Sequence, residues 1–192
     1  MRNTHYLQQC QSSEGCIDRC PHTFDELANT VLPSYLAKLQ ASLANPFLAI
    51  YFTNTPRYRD LLAKWLGFES DFSGCYVLQE EGKPIYVGIS RSVRKRLRQH
   101  LLGEHDSTAS LAHSMAKKKH VDATSTGEII VGTRKLVMEQ LKAGTAFKET
   151  QSYLRGLSIG VVPIENPLEL YVFEAYATMA LKTADWNTFR TH

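Results

Sequence analysis

GCYVLQEEGKPIYVGISRSVRKRLRQH, residues 74–100, decides how this chain is read. Cys75 to Leu78 and Ile85 to Ile89 are short, apolar and β-prone, and Glu80, Glu81, Gly82 and Lys83 between them have the composition of a tight turn. Together they predict an antiparallel hairpin carrying Tyr76 on one strand and Tyr86 on the other. A helix comes directly after the second strand: Ser90 can cap it, Arg91 opens it, and Gly103 stops it after Leu102. At about 100° per residue, Val93, Leu97 and Leu101 form a stripe for docking on a sheet, while Arg91, Arg94, Lys95 and Arg98 cover the opposite side. Arg96 and His100, four residues apart, stack along one margin of the apolar stripe. A guanidinium partly shielded from water is kept where it has an anion to hold. The ordinary alternative is an Arg96 paired with an acid and a His100 that merely covers the core edge.

Charge singles out the same region. Over the whole chain 22 Lys and Arg face 19 Asp and Glu, a formal +3. Between Lys83 and His120, however, nine Lys and Arg meet only Glu104 and Asp106, a local +7, so the remainder sums to −4. A solvated helix interleaves acids with its bases, yet none stands between Lys83 and Gly103. Segregation of this kind suggests a face built for a polyanion. Lys83, Lys117, Lys118 and Lys119 are further candidates for phosphate contacts.

The second informative stretch is NPLELYVFEAYATMALKTADWN, residues 166–187. Asn166 as N-cap, Pro167 at the first helical position and Glu169 in the first turn start a helix. From Leu170 to Leu181 it is apolar on nearly every side, which predicts a largely buried element. Glu174 is the one charge in that run. An unpaired carboxylate there costs several kcal/mol, so it calls for a cation, either a metal ion or the guanidinium of a structural Glu–Arg pair.

The rest of the chain supplies context. With 192 residues and 43% apolar content it is long enough for one domain with a core and an extension. Residues 1–70 read as helical: Thr23 and Glu26 form a capping-box pattern, Leu27, Val31, Leu32, Leu36, Leu39 and Leu43 recur at helical spacing, and Pro33 breaks or kinks that run. A second helix starts after Thr55 as N-cap, with Pro56 first and Gly67 as its stop. The polar junction Ser70–Gly74 marks a domain boundary between 1–70 and 71–192. Leu157 to Ile164 is another strand, and a polar, helical stretch fills Ser107 to Phe147. Cys10, Cys16, Cys20 and His22 could ligate zinc, though their spacing fits no standard knuckle and reduced thiols are the simpler reading. Apolar stretches such as NPFLAIYF fall short of the roughly 20 residues of a membrane span, and the polar N-terminus does not suit a signal peptide, which points to a cytoplasmic protein.

Taken together, these stretches resemble the GIY-YIG nuclease family. Its first signature is matched by Gly74-Cys75-Tyr76 and its second by Tyr86-Val87-Gly88; its arginine by Arg96, ten residues after Tyr86; its histidine by His100; its metal-binding glutamate by Glu174; and its closing asparagine by Asn187, thirteen residues beyond Glu174. Cysteine replaces isoleucine in the first signature, and about 65 residues separate the basic helix from the glutamate helix, more than in minimal members. The resemblance implies an α+β fold with a small, mainly antiparallel three-stranded sheet flanked by helices, here with a helical N-terminal extension and a helical insertion. It further implies hydrolysis of double-stranded DNA with Mg²⁺ (or Mn²⁺) on Glu174, Tyr76 or Tyr86 as general base, Arg96 on the phosphate and His100 assisting a tyrosine. Gly88, His105 and Asn187 would support the site, Asn187 by hydrogen bonds near Glu174 or the end of its helix. The N-terminal elaboration leans toward restriction or defence, and cutting both strands of a palindrome would call for a homodimer. A non-catalytic nucleic-acid-binding module, or a repair nuclease that needs a partner, are the competing classes.

Overall fold

The computed structural model describes residues 17–53, 55–67, 70–105, 108–123, 145–187 and 189, without the side chains of residue 57 and residues 120–123. In chain order its elements are α1 (Leu32–Ala44), β1 (Phe47–Leu48), α2 (Pro56–Leu66), β2 (Gly74–Glu80), β3 (Lys83–Ser90), α3 (Val93–Leu102), α4 (Ser110–Ala123), α5 (Ala146–Gly156), β4 (Ser158–Pro163) and α6 (Pro167–Leu181). They gather into two compact units. One draws on the chain up to Pro46, on Phe72–Val93 and on the chain from Ile159; the other consists of Phe47–Asp71 and Arg94–Ser158.

The first unit is built on the hairpin. Tyr76 stands opposite Gly88, Val77 opposite Val87 and Leu78 opposite Tyr86 in an antiparallel ladder. Its turn is the two residues Glu81 and Gly82, both left-handed at φ 49° and 82°, a conformation whose twist suits the flanking strands. One irregularity falls between Leu78 and Gln79, where the pairing jumps to Pro84. Proline has no N–H to give the ladder, so a break in register is where a strand can carry one. Because side chains alternate along a strand, Cys75, Val77 and Val87 share a face. They join Val162 and Ile164, Leu170, Phe173 and Ala177 of α6, and Leu27, Leu32 and Leu39 in one buried cluster.

The helical run that completes this cluster starts with the capping box expected of it. Thr23 Oγ1 accepts from Glu26 N–H (3.2 Å) and Glu26 Oε2 accepts from Thr23 N–H (2.8 Å). Pro33 neither ends nor breaks the run. Leu27–Val31 widens to a π-helix, with Leu32 N–H donating to Leu27 O, and α1 opens with Pro33 in its first turn. There the missing N–H costs nothing.

The strand order is β1-β4-β2-β3, so the sheet has four strands rather than the three expected. The extra one is the two-residue β1, next to which Ala49 N–H donates to Leu157 O (2.8 Å). So short a segment carries no alternation that sequence could reveal.

In the second unit, Pro56 begins α2 and Gly67 closes it, yet Thr55 caps only through its carbonyl, which accepts from Tyr58 and Arg59 N–H. α4 packs against α5, with Leu111, Ala112, Met115, Phe147 and Leu154 buried. The rest of the helical stretch expected up to Phe147 lies outside the described residues. Among the described residues no helix is long and apolar enough to cross a membrane.

Phe173 is fully buried and meets Tyr35 edge to face at 5.7 Å. Phe173→Ala should therefore destabilise the first unit by about 3–5 kcal/mol, read as a lower denaturant midpoint with the far-ultraviolet circular dichroism of the native state retained.

Candidate active site

The two signature tripeptides meet where Tyr76 lies against Gly88. A Cβ at Gly88 would lie 2.4 Å from Tyr76 Cζ and 2.5 Å from its hydroxyl, so the Tyr76 ring lies directly on the bare backbone of β3. A Cβ at Gly74 would stand 2.4 Å from Val162 O, so the start of β2 is close to β4 for the same reason. Tyr76 is 1% exposed, while Tyr86 is half-buried, with the two ring centroids 6.2 Å apart at 49°. Cysteine in place of isoleucine causes no break in packing: Cys75 is fully buried in the apolar cluster.

α6 carries two carboxylates with opposite fates. It starts as expected, with Asn166 Oδ1 accepting from Leu168 N–H (3.0 Å) and Glu169 N–H (3.2 Å). Glu169, expected only to favour the helix start, is 4% exposed and well supplied. Tyr35 O–H donates to its Oε2 (2.7 Å), Cys20 Sγ–H to its Oε1 (3.9 Å), and His22 Nε2 lies 3.6 Å from Oε1. Glu174 has no such company. It is half-buried, desolvation pushes its carboxyl pKa upward, and among the described residues no ion pair or hydrogen bond reaches it. The structural Glu–Arg pair that could have explained it is not formed among these residues. Its charge is felt by Cys75, whose thiol is held well above the usual range by burial first and by Glu174 second. An unsatisfied carboxylate of this kind suits a hard divalent cation, which takes oxygen ligands. Among the described residues no group of three or more His, Cys, Asp or Glu is arranged to hold a metal ion, so any cation at Glu174 would have this one carboxylate from the described residues. Cys20 is spent on Glu169, and Cys10 and Cys16 lie outside the described residues.

α6 is less buried than its composition implied: Tyr171 is 65% and Met179 79% exposed. One face of the helix serves the core, and among the described residues nothing covers the other.

Asn187 N–H donates to Thr183 O (3.1 Å), just past the end of α6, while its side chain binds the backbone of the second signature: Oδ1 accepts from Val87 N–H (2.9 Å) and Nδ2 donates to Val87 O (2.7 Å). β3 is the last strand of the sheet, so its outer polar groups need partners. The amide supplies both next to Tyr86.

In the second unit, Leu97 and Leu101 are fully buried as the stripe predicts. Arg96 is half-buried and donates to Thr108 O (3.1 Å) and Ser110 Oγ (2.9 Å). It holds neutral oxygens, not an acid, and so pins the chain after Gly103. His100 is 1% exposed, and burial, aided by the Arg96 charge, lowers its pKa to about 3. The imidazole is therefore neutral at physiological pH. His105, expected as a supporting member, is exposed, and its carbonyl accepts from Thr108 and Ala109 N–H.

α3 begins at Val93, two residues later than expected. Ser90 Oγ accepts from Ser92 N–H (3.0 Å), but the free N–H groups of Arg94 (2.8 Å) and Lys95 (3.1 Å) donate to the Asp71 carboxylate. No local pattern announces a cap from 23 residues away. Of the phosphate-contact candidates, Lys83, Arg91, Lys95, Arg98 and Lys118 are exposed, Arg94 and Lys117 half-buried, and Lys119 is paired with Glu149 (3.2 Å).

Residues 72–136, about a third of the chain, match the family model of the GIY-YIG catalytic domain. Searches of the curated proteins and of the solved structures found no significant match. Residues 72–136 thus match a GIY-YIG catalytic domain, a nuclease-type domain whose substrate class is nucleic acid. Glu174 and Asn187 lie beyond the matched segment.

Gly88→Ala must displace the Tyr76 ring, so it should cost about 1–3 kcal/mol and alter the near-ultraviolet tyrosine circular dichroism. A second expectation concerns acid. Below about pH 6.5 the unfolded chain protonates this histidine, while folded His100 stays neutral down to about 3. Its contribution is thus complete above 6.5 and is lost as pH falls through that window. His100→Gln should flatten the decline of denaturant midpoint between those two values.

Proposed function

We propose that this chain is a divalent-metal-dependent endonuclease acting on double-stranded DNA, with Glu174 as the metal-binding residue. The observation that carries this reading is the contrast on α6: Glu169 is fully partnered, whereas no cation among the described residues pairs with the shallower Glu174. Glu174 would hold Mg²⁺ (or Mn²⁺), which when bound supplies positive charge to the scissile phosphate.

The remaining roles rest on the family pattern and on the chemistry of each group. Hydrolysis requires a water oxygen to bond to phosphorus, its proton to be removed, and the bond to the 3′ oxygen to break with a proton delivered there. Tyr76 and Tyr86 supply the base and a positioning hydroxyl. A phenol with a pKa near 10 needs help to lose its proton; His100, whose depressed pKa makes it a poor proton acceptor, would orient a tyrosine hydroxyl. Arg96 uses part of its five-donor guanidinium on Thr108 and Ser110 and keeps the remainder for phosphate oxygens. Gly88 seats Tyr76 and Asn187 steadies the strand that carries Tyr86. His105, being exposed, would act at the edge of the substrate. Arg91, Arg94, Lys95 and Arg98, with Lys83, Lys117, Lys118 and Lys119, would meet the DNA backbone. The helical elaboration before the nuclease domain favours a restriction or defence role, and symmetric cleavage would be performed by a homodimer.

Plasmid DNA, purified protein and Mg²⁺ test the assignment. Cleavage is expected, and Glu174→Gln should reduce its rate on the order of 10²-fold or more, the scale for losing a group that stabilises transition-state charge. Undiminished cleavage by Glu174→Gln would remove the metal assignment, and binding without nicking in Mg²⁺ or Mn²⁺ would return the chain to the non-catalytic class.

A further inference from the structure

The second unit contains a cavity of about 370 Å³ lined by Phe52, Arg59, Leu62, Asp71, Arg94, Lys95 and Arg98. Four cations thus surround it against one acid, and that acid is occupied: both Asp71 oxygens accept backbone N–H groups, from Arg94 and Lys95. Among the described residues no carboxylate pairs with Arg59, Lys95 or Arg98. Phe52 and Leu62, each 1% exposed, close the floor with apolar atoms. A dry floor offers no competing hydrogen bonds and strengthens the pull of the charges above it. The arginines come from two helices, Arg59 from α2 and Arg94 and Arg98 from α3. Guanidinium groups converging from separate elements favour planar, multidentate oxyanions.

The geometry points to this cavity as a clamp for one backbone phosphate of a bound nucleic-acid strand, with Arg59 as a contact that the basic helix alone does not supply. The volume suits a phosphodiester with its sugar and is far too small for a duplex. The lining residues are distinct from Tyr76, Tyr86, Arg96, His100 and Glu174, so the clamp is assigned to binding and not to the chemical step. This assignment rests on the nuclease reading only for its choice of ligand.

DNA binding by the intact protein, measured by fluorescence anisotropy on a labelled duplex in EDTA over a range of salt concentrations, tests it without cleavage. Each neutralised phosphate contributes about 0.9 to the slope of log K against log salt. Arg59→Ala and Arg98→Ala should each lower the slope by about one, Arg59→Lys should keep it, and Lys64→Ala, an exposed change on α2 outside the cavity, should leave it unchanged. Native circular dichroism of each variant establishes folding. An Arg59→Ala protein that is folded and keeps the parental slope overturns the clamp, as does an equal loss in Lys64→Ala, which would mean diffuse charge. A parent that binds no duplex also overturns it, whereas the nuclease reading stands or falls separately on cleavage in Mg²⁺.

Discussion

The contact on which the first unit depends is that of the Tyr76 ring with Gly88. It exists only in one register of the hairpin, the one that sets these residues opposite each other. A slip by a single residue would turn every side chain to the wrong face. Cys75, Val77 and Val87 would leave the cluster they share with Phe173 and Ala177, and both tyrosines would exchange faces with them. Three local devices hold the register: the two left-handed turn residues Glu81 and Gly82, the break in pairing at Pro84, and the apolar alternation itself. Asn187 adds a fourth from a distance of 100 residues by occupying both backbone groups of Val87.

Glu169 and Glu174 show how position on one helix separates structure from chemistry. Glu169 gathers Tyr35, Cys20 and His22 and so ties the chain around residue 20 and α1 to α6. Its burial is repaid by hydrogen bonds. Glu174 is shallower, yet burial still raises its pKa. With no partner among the described residues, its ionised form is disfavoured until a cation arrives. The same contrast runs through the second unit. Arg96 and Asp71 spend their charge on backbone and hydroxyl groups that organise the ends of α3 and α4, whereas Arg59, Lys95 and Arg98 line a cavity whose one acid, Asp71, is already occupied by backbone N–H groups.

Much of this was legible in residues 74–100 and 166–187. Hairpin, basic helix and apolar helix all arise from patterns that repeat within a few residues, and their apolar faces are the ones buried. Pro33 shows the limit: its chemistry demanded a disturbance, but a widened turn before it could absorb what a kink or a break would also have absorbed. The pairing of Asn187 with Val87 was not legible, because the two stand 100 residues apart. β1 and the Asp71 cap were not legible at all, because a two-residue strand has no period and a cap across 23 residues leaves no local trace.

What the sequence by itself determined is therefore periodic and local: where strands and helices lie, which turn joins β2 to β3, which stripe of α3 is apolar, and which tripeptides carry the family's signature. Those are written in the spacing of side chains along one element. Tertiary structure alone decided which polar groups are satisfied. Glu169 and Glu174 stand five positions apart on one helix, and the arrival of Tyr35, 134 residues earlier in the chain, with Cys20 and His22 makes the first a structural anchor, while nothing among the described residues pairs with the second. Hydrogen bonds and ion pairs are made by whatever distant residue packing brings near, and no periodicity along the chain records that meeting.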